Sequence, residues 1–391
     1  MPQASHSWRR PILALALALA AWSAAQAQSI TPVWEYLISK LPSPLPILTN
    51  ATPYTSDLDA GDGLSLMDCI GPMRRYDANR LLLGIRENGI DETDPNLPAD
   101  KKVLAAAYPD RSLIWINPAT GVPLGLALTV GEAPVPMDPK VEAKGGLPGG
   151  TPGAGINYYW SFDVSADGYV YTGYKNQMLR YAPNGSGGFN PTPTVVFTLD
   201  QDTATAKGLS EAQWLNFRWG TIRVSGTGAN TKLLGCGVGP RGDWLLTTTD
   251  GNTFTAGSFR GGGWGNPVCS TSSLVPSKDP GTPDDLWFYG GWYPANSSGI
   301  DSTFVRGITS SPTDDFTVDG TFTVRADPNT NAPVRYSGMF YGGSDVHPDL
   351  DFMVAYSSPA YNHSAVGGYQ PGWLALLGAT NGAFLASHNS T

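Results

Sequence analysis

A strand–turn–strand unit recurs along this chain about every 64 residues, five times over. Its turns are Asn117-Pro118-Ala119-Thr120-Gly121, Ala182-Pro183-Asn184-Gly185, Thr249-Asp250-Gly251-Asn252, Ser311-Pro312-Thr313-Asp314-Asp315 and Ala379-Thr380-Asn381-Gly382. The turn glycines Gly121, Gly185, Gly251 and Gly382 lie 64, 66 and 131 residues apart, the last interval being two periods with Asp315 near its midpoint. Self-similarity at a fixed period means one supersecondary unit used repeatedly, because a single such sheet cannot bury both of its faces and must have neighbours stacked on it.

Each unit parses into four short strands, with the turn glycine between the third and fourth. The second unit is predicted to run Tyr158–Val164, Tyr169–Gly173, Met178–Tyr181 and Thr194–Leu199, its first hairpin closed by Asp167-Gly168 and its last by Asn184-Gly185. Those dipeptides favour tight hairpins because they accept positive φ. In the fourth unit the last strand is predicted at Thr321–Val324. In the fifth the first strand is predicted at Val334–Tyr341, and Gly343–Asp349 reads as a turn. Four-stranded units in series are the anatomy of blades, so the expected fold is all-β: a five-bladed β-propeller with four-stranded blades and a short N-terminal arm. The blades are placed at about residues 51–130, 156–199, 216–259, 267–324 and 333–388, within a propeller domain of residues 51–391. A six-bladed ring that recruits residues 30–70 as a partial blade is the alternative.

A period near 64 exceeds the roughly 40–50 residues of compact blades, so the surplus falls in loops. Long connections follow second strands (Glu87–Arg111, Tyr293–Asp301, Ser357–Gly372) and fourth strands (Gly131–Asn157, Asp200–Leu215). Both classes leave a blade at the same end, so the extra chain gathers on one face, the usual place for function on a rigid scaffold.

Residues 1–27 have the form of a signal peptide: Arg9-Arg10, an apolar run from Pro11 to Ala25, and the small-x-small sequence Ala25-Gln26-Ala27, with cleavage expected near Ala27. Export to the periplasm or exterior is therefore expected, and no later run is apolar enough to span a membrane. Residues 28–50, with Trp34–Ile38 as a short helix before a proline-rich stretch, form the predicted arm. The three cysteines, Cys69, Cys236 and Cys269, allow one disulfide in an oxidising compartment. Cys236 and Cys269, in neighbouring units, are the expected pair. The net charge of −9 argues against nucleic acid or an anionic membrane as partner and is compatible with neutral or cationic ligands. A monomer is expected.

Chemistry is sparse in this sequence. Asp68 and Asp163 fall on the predicted innermost strands of the first two units, and Glu211 just before that of the third. A buried carboxylate has to be paired, hydrogen-bonded or neutralised, which makes channel acids worth testing. Their bland reading is hydrogen bonding to backbone amides. The stretch Phe162-Asp163-Val164-Ser165-Ala166-Asp167-Gly168-Tyr169, with the five-fold architecture, resembles the five-bladed β-propeller superfamily, and loosely its furanosidase-type glycosidases. That resemblance implies a glycoside hydrolase with Asp68 as base, Asp163 as pKa modulator and Glu211 as acid. The chain departs from that pattern in having no Asp-Pro at the start of the first blade and no Glu-Gly-Pro around Glu211. Thr248–Phe254 is similar to the Asp-box hairpin of sialidase-like propellers, one residue short, a motif whose role is structural.

His347 with Arg335, Tyr336 and Tyr341 could run a lyase-type proton abstraction, but His347 sits in the predicted Gly343–Asp349 turn. Asp57-x-Asp59-x-x-Asp62-Gly63 leaves two readings open, a solvated turn and a Ca²⁺ loop. No His/Cys cluster and no cofactor motif is present, so no other metal is expected. Aromatic residues crowd the proposed loop face, among them Trp160, Trp214, Trp264, Trp292 and Tyr361. Flat rings stack on sugars and apolar ligands; the competing role is to plug the space between blades. The function expected from these residues is a secreted binding module recognising a carbohydrate or protein ligand on the long-loop face, with the glycoside hydrolase as alternative.

Overall fold

A computed structural model describes residues 70–85, 111–130, 138–143, 162–238, 241–262, 274–276, 286–290, 305–309, 317–318, 344–346, 352–357, 373–379 and 383–389, with isolated positions between 95 and 109. Among them, twenty strands form five four-stranded antiparallel sheets, each built from consecutive strands in chain order. Sheet 1 comprises β1 (Ile70–Arg75), β2 (Leu81–Ile85), β3 (Ser112–Ile116) and β4 (Pro123–Thr129). Sheet 2 comprises β5 (Phe162–Val164), β6 (Val170–Tyr174), β7 (Gln177–Tyr181) and β8 (Thr194–Thr198). Sheet 3 comprises β9 (Arg218–Ser225), β10 (Lys232–Val238), β11 (Arg241–Thr248) and β12 (Phe254–Gly262). Sheet 4 holds β13 (Leu274–Pro276), β14 (Leu286–Gly290), β15 (Val305–Thr309) and β16 (Thr317–Val318). Sheet 5 holds β17 (Ser344–Val346), β18 (Met353–Ser357), β19 (Trp373–Leu377) and β20 (Phe384–Asn389).

The protein is thus all-β in the described residues, with the strand-to-unit assignment read from the repeats. Two boundaries differ. The fifth sheet opens at Ser344–Val346, inside the segment read as a turn, where Ser344, Asp345 and Val346 pair with Ala355, Val354 and Met353. Val334–Tyr341, the predicted first strand of that unit, lies outside the described residues. The fourth sheet closes at Thr317–Val318, and Thr321–Val324 likewise lies outside them.

Sheets 1 to 4 meet in succession, largely through their first strands: β1 contacts β5, β5 and β6 contact β9, and β9 contacts β13. Side chains alternate across a strand, so each sheet has two faces to bury. On sheet 2 they divide cleanly. Phe162, Val170, Leu179 and Tyr181 pack with Leu82, Leu113, Trp115 and Leu128 of sheet 1, while Tyr171, Met178 and Phe197 pack with Trp219, Ile222, Leu233, Trp244 and Leu246 of sheet 3. Each such large side chain contributes about 1.5–3 kcal/mol on burial. The outward faces of sheets 1 and 3 are covered too: Ile85, Ile114 and Ile116 are buried on one, Leu234 and Leu245 on the other. Gly173 is required by this stacking, because a Cβ there would lie 2.3 Å from Cβ of Trp219.

The sheets are also pinned at their hairpin end, where the β1–β2, β3–β4, β5–β6, β7–β8, β9–β10 and β11–β12 turns lie. Arg80, just before β2, donates to the Gly187 carbonyl in the third turn of sheet 2 (2.7 Å) and is held by Asp77. Arg180 of β7 repeats the device one sheet on, donating to the Gly251 carbonyl and to Asn252 Oδ1. Each guanidinium lies over a tyrosine of its own first hairpin, Arg80 over Tyr76 and Arg180 over Tyr169. The Asp-box-like turn contributes rigidity: Asp250 Oδ1 accepts the amides of Asn252 and Thr253, both at 2.8 Å.

Candidate functional site

The opposite end of sheets 1–3 carries the β2–β3, β4–β5, β6–β7 and β8–β9 connections. Hydrogen bonds tie the two connection classes together there. The Val130 amide donates to the Arg111 carbonyl, the Leu199 amide to Asn176 and the Trp219 amide to Lys175. Among the described residues, the β4–β5 connection carries α1 (Pro139–Ala143), and the β8–β9 connection carries α2 (Gln201–Ala206) and α3 (Glu211–Leu215). The expected loop Asp200–Leu215 is therefore largely helical. Its signals are local ones: Asp200 caps α2 by accepting the Thr203 amide, and Ser210 with Gln213 forms a capping box on α3.

The candidate acids separate. Asp163 is at the hairpin end of β5, where Oδ1 lies 3.1 Å from Nε of Arg74 in β1 and Oδ2 accepts the Val224 amide of β9 at 2.9 Å. One carboxylate thereby links the first strands of three consecutive sheets. Glu211 opens α3, before the start of β9, while Val224 is near the end of β9. At about 3.3 Å per residue, roughly 15–20 Å of strand lies between those two levels. Glu211 is exposed and paired with Lys140 of α1 at 2.8 Å. That hydrogen bond, then the carboxylate charge, raises the Lys140 ammonium above its ordinary value. Asp68 lies outside the described residues.

Trp214 is in the core, 1% exposed, with its indole N–H donating to the Leu199 carbonyl at 2.8 Å. Trp219 is buried between sheets 2 and 3 in the same cluster. Both rings are buried in the core rather than exposed on the face. Trp160, Trp264, Trp292 and Tyr361, the segment with Asp57, Asp59 and Asp62, His347, Cys69, Cys269 and residues 1–50 lie outside the described residues. Cys236 is in β10. Among the described residues, no group of three His, Cys, Asp or Glu side chains is placed to hold a metal, and no helix is long and apolar enough to cross a membrane.

What the connection end does gather is cationic. Arg111 lies over the Tyr174 ring at 5.1 Å from its centroid, and Lys175 Nζ at 5.6 Å. Arg218 is buried beside Tyr174, donating to the Leu215 and Phe217 carbonyls. Its burial pushes the guanidinium below its ordinary pKa, with Tyr174 acting the other way. Asn176 completes the two-residue β6–β7 turn and Gln177 opens β7, both buried, with Asn176 Oδ1 and Gln177 Oε1 accepting no hydrogen bond. The sequence reading located this turn but assigned it nothing, since no motif marks it.

Compared with protein-family models, the sequence matches none, and it matches no curated protein.

Proposed function

We propose that the five sheets close into a single five-bladed β-propeller and that the chain is an exported, non-catalytic binding module whose connection end takes a carbohydrate or protein ligand, the carbohydrate being the one tested first. Support for the ring comes from five consecutive four-stranded meanders, from the first-strand contacts between neighbours, and from the burial of the outward faces of sheets 1 and 3. Support for export comes from the basic, apolar and small-residue pattern of residues 9–27.

The observation that carries the non-catalytic reading is the position of Asp163. Its two oxygens meet Arg74 and the Val224 amide, a structural assignment, and Glu211 sits at the other end of β9. A glycosidase needs its two carboxylates about 5–10 Å apart across the scissile bond. The test is affinity electrophoresis of the chain beginning at Gln28 through a panel of arabinans, xylans and pectins, with reducing ends assayed in parallel. Retention without release of reducing ends is expected. Release that Glu211→Gln abolishes would establish the hydrolase instead, and Glu211→Gln is suited to this because its exposed ion pair contributes little to folding. Retention by none of the panel overturns the carbohydrate reading.

A further inference from the structure

The Tyr174 cluster has a sign opposite to that of the whole molecule, whose net charge is −9. Among the described residues, Arg111 (φ 53°) and Lys175 (φ 47°) are the non-glycine residues with positive φ. This conformation is unfavourable for a residue with a long side chain, and glycine or asparagine adopts it far more easily. Lys175 takes the first position of a two-residue turn, where glycine is the easy choice. The chain thus places a cation at both positions, and both cations lie over one tyrosine ring. Local rules broken together at one place point to a use beyond folding.

Two further features give that use a chemistry. Arg111 is half-buried, and among the described residues it meets the Tyr174 ring and no carboxylate. A guanidinium held against an aromatic face keeps its N–H fork available for a planar anion. Gln177 stands directly across from Tyr174 in the β6–β7 register, so their side chains share a face. Gln177 is 1% exposed, and its orphaned Oε1 asks for a donor.

Resting on the carbohydrate reading above, we propose that this cluster selects an acidic sugar. Arg111 and Lys175 take its carboxylate or sulfate group, and Gln177 Oε1 accepts from a neighbouring hydroxyl, directly or through one water. Ligand charge, on this view, is read at the β2–β3 and β6–β7 connections, against the overall negative field of the protein.

The experiment is calorimetric titration of the chain from Gln28 with oligogalacturonate, a sulfated galactan oligosaccharide and a neutral arabino-oligosaccharide of equal length. Arg111→Asn and Lys175→Asn are measured alongside, each with its Tm; asparagine removes the charge and suits positive φ. One or both anionic ligands are expected to bind at least about tenfold more tightly than the neutral one, since hydrogen bonds to charged groups are the stronger kind. Affinity should fall with added salt, and both variants should lose the preference with a Tm no lower than the wild type. Whichever anionic arm binds distinguishes carboxylate from sulfate. Equal binding of neutral and anionic ligands, unchanged in both variants, overturns this inference and leaves the carbohydrate reading standing. Binding of none of the three overturns both. A large fall in Tm in both variants with the preference intact would make the cluster a structural one and also overturn it.

Discussion

The two ends of the first three sheets solve different problems with the same residue types. At the hairpin end arginine is spent on assembly: Arg80 and Arg180 each reach a carbonyl of the next sheet, Arg74 meets Asp163, and Asp77 and Asp250 close their own turns. At the connection end arginine and lysine converge on an aromatic ring, two of them on strained backbone, next to buried acceptors without donors. Ser112, Asn176 and Gln177, all with an unsatisfied oxygen, belong to that end. Polar groups in native interiors are satisfied unless something else is to satisfy them. One end uses its charged side chains to join the sheets, and the other places cations beside buried oxygens that have no hydrogen-bond partner.

The contrast can be broken most forcefully at Asp163. Asp163→Ala removes the acceptor of the Val224 amide and leaves Arg74, whose side chain is 13% exposed, without that carboxylate. A loss of about 3 kcal/mol is expected, read as a shift in denaturant midpoint at unchanged m-value. A variant as stable as the wild type would return Asp163 to the list of functional acids. Arg180→Ala comes next, removing the bonds to Gly251 and Asn252 and the contact with Tyr169. Its cost should be about 1–2 kcal/mol, and increased hydrogen exchange should be confined to the β11–β12 turn and its flanks.

The smallest effect is one of pH. The amides of Thr253 and then Asn252, with the Thr248 hydroxyl, hold the Asp250 carboxyl below its ordinary 3.8. A depressed folded pKa means that its contribution is complete above the ordinary value and is lost as pH falls through the folded one. Asp250→Asn should therefore lower the neutral plateau slightly and flatten the acid limb of Tm against pH below about 4, the two proteins converging at low pH. An identical acid limb in both proteins would mean that this turn is not a titrating element of the hairpin end.

What could be read in advance was whatever is local. Turn glycines, two-residue alternation and hairpin dipeptides act within a few residues, so the second sheet agrees with its predicted strands to within a few residues. The capping box Ser210-Glu211-Ala212-Gln213 is equally local and equally legible. The roles of individual side chains were not of this kind. Asp163 could be a functional acid or a structural tie by sequence alone; that it meets Arg74 of sheet 1 and the Val224 amide 61 residues on is visible only in the structure. Trp214 could face a ligand or the core, and the Leu199 carbonyl and the sheet 2–sheet 3 cluster put it in the core.

The sequence by itself determined that this protein is a series of four-stranded antiparallel units, because hairpin chemistry and strand periodicity are written into neighbouring residues. Which acids are consumed in holding those units together, and where the cations gather, only the tertiary structure decided. Inter-sheet stacking brings together side chains from three separate repeats, and no spacing along the chain encodes which of them will meet.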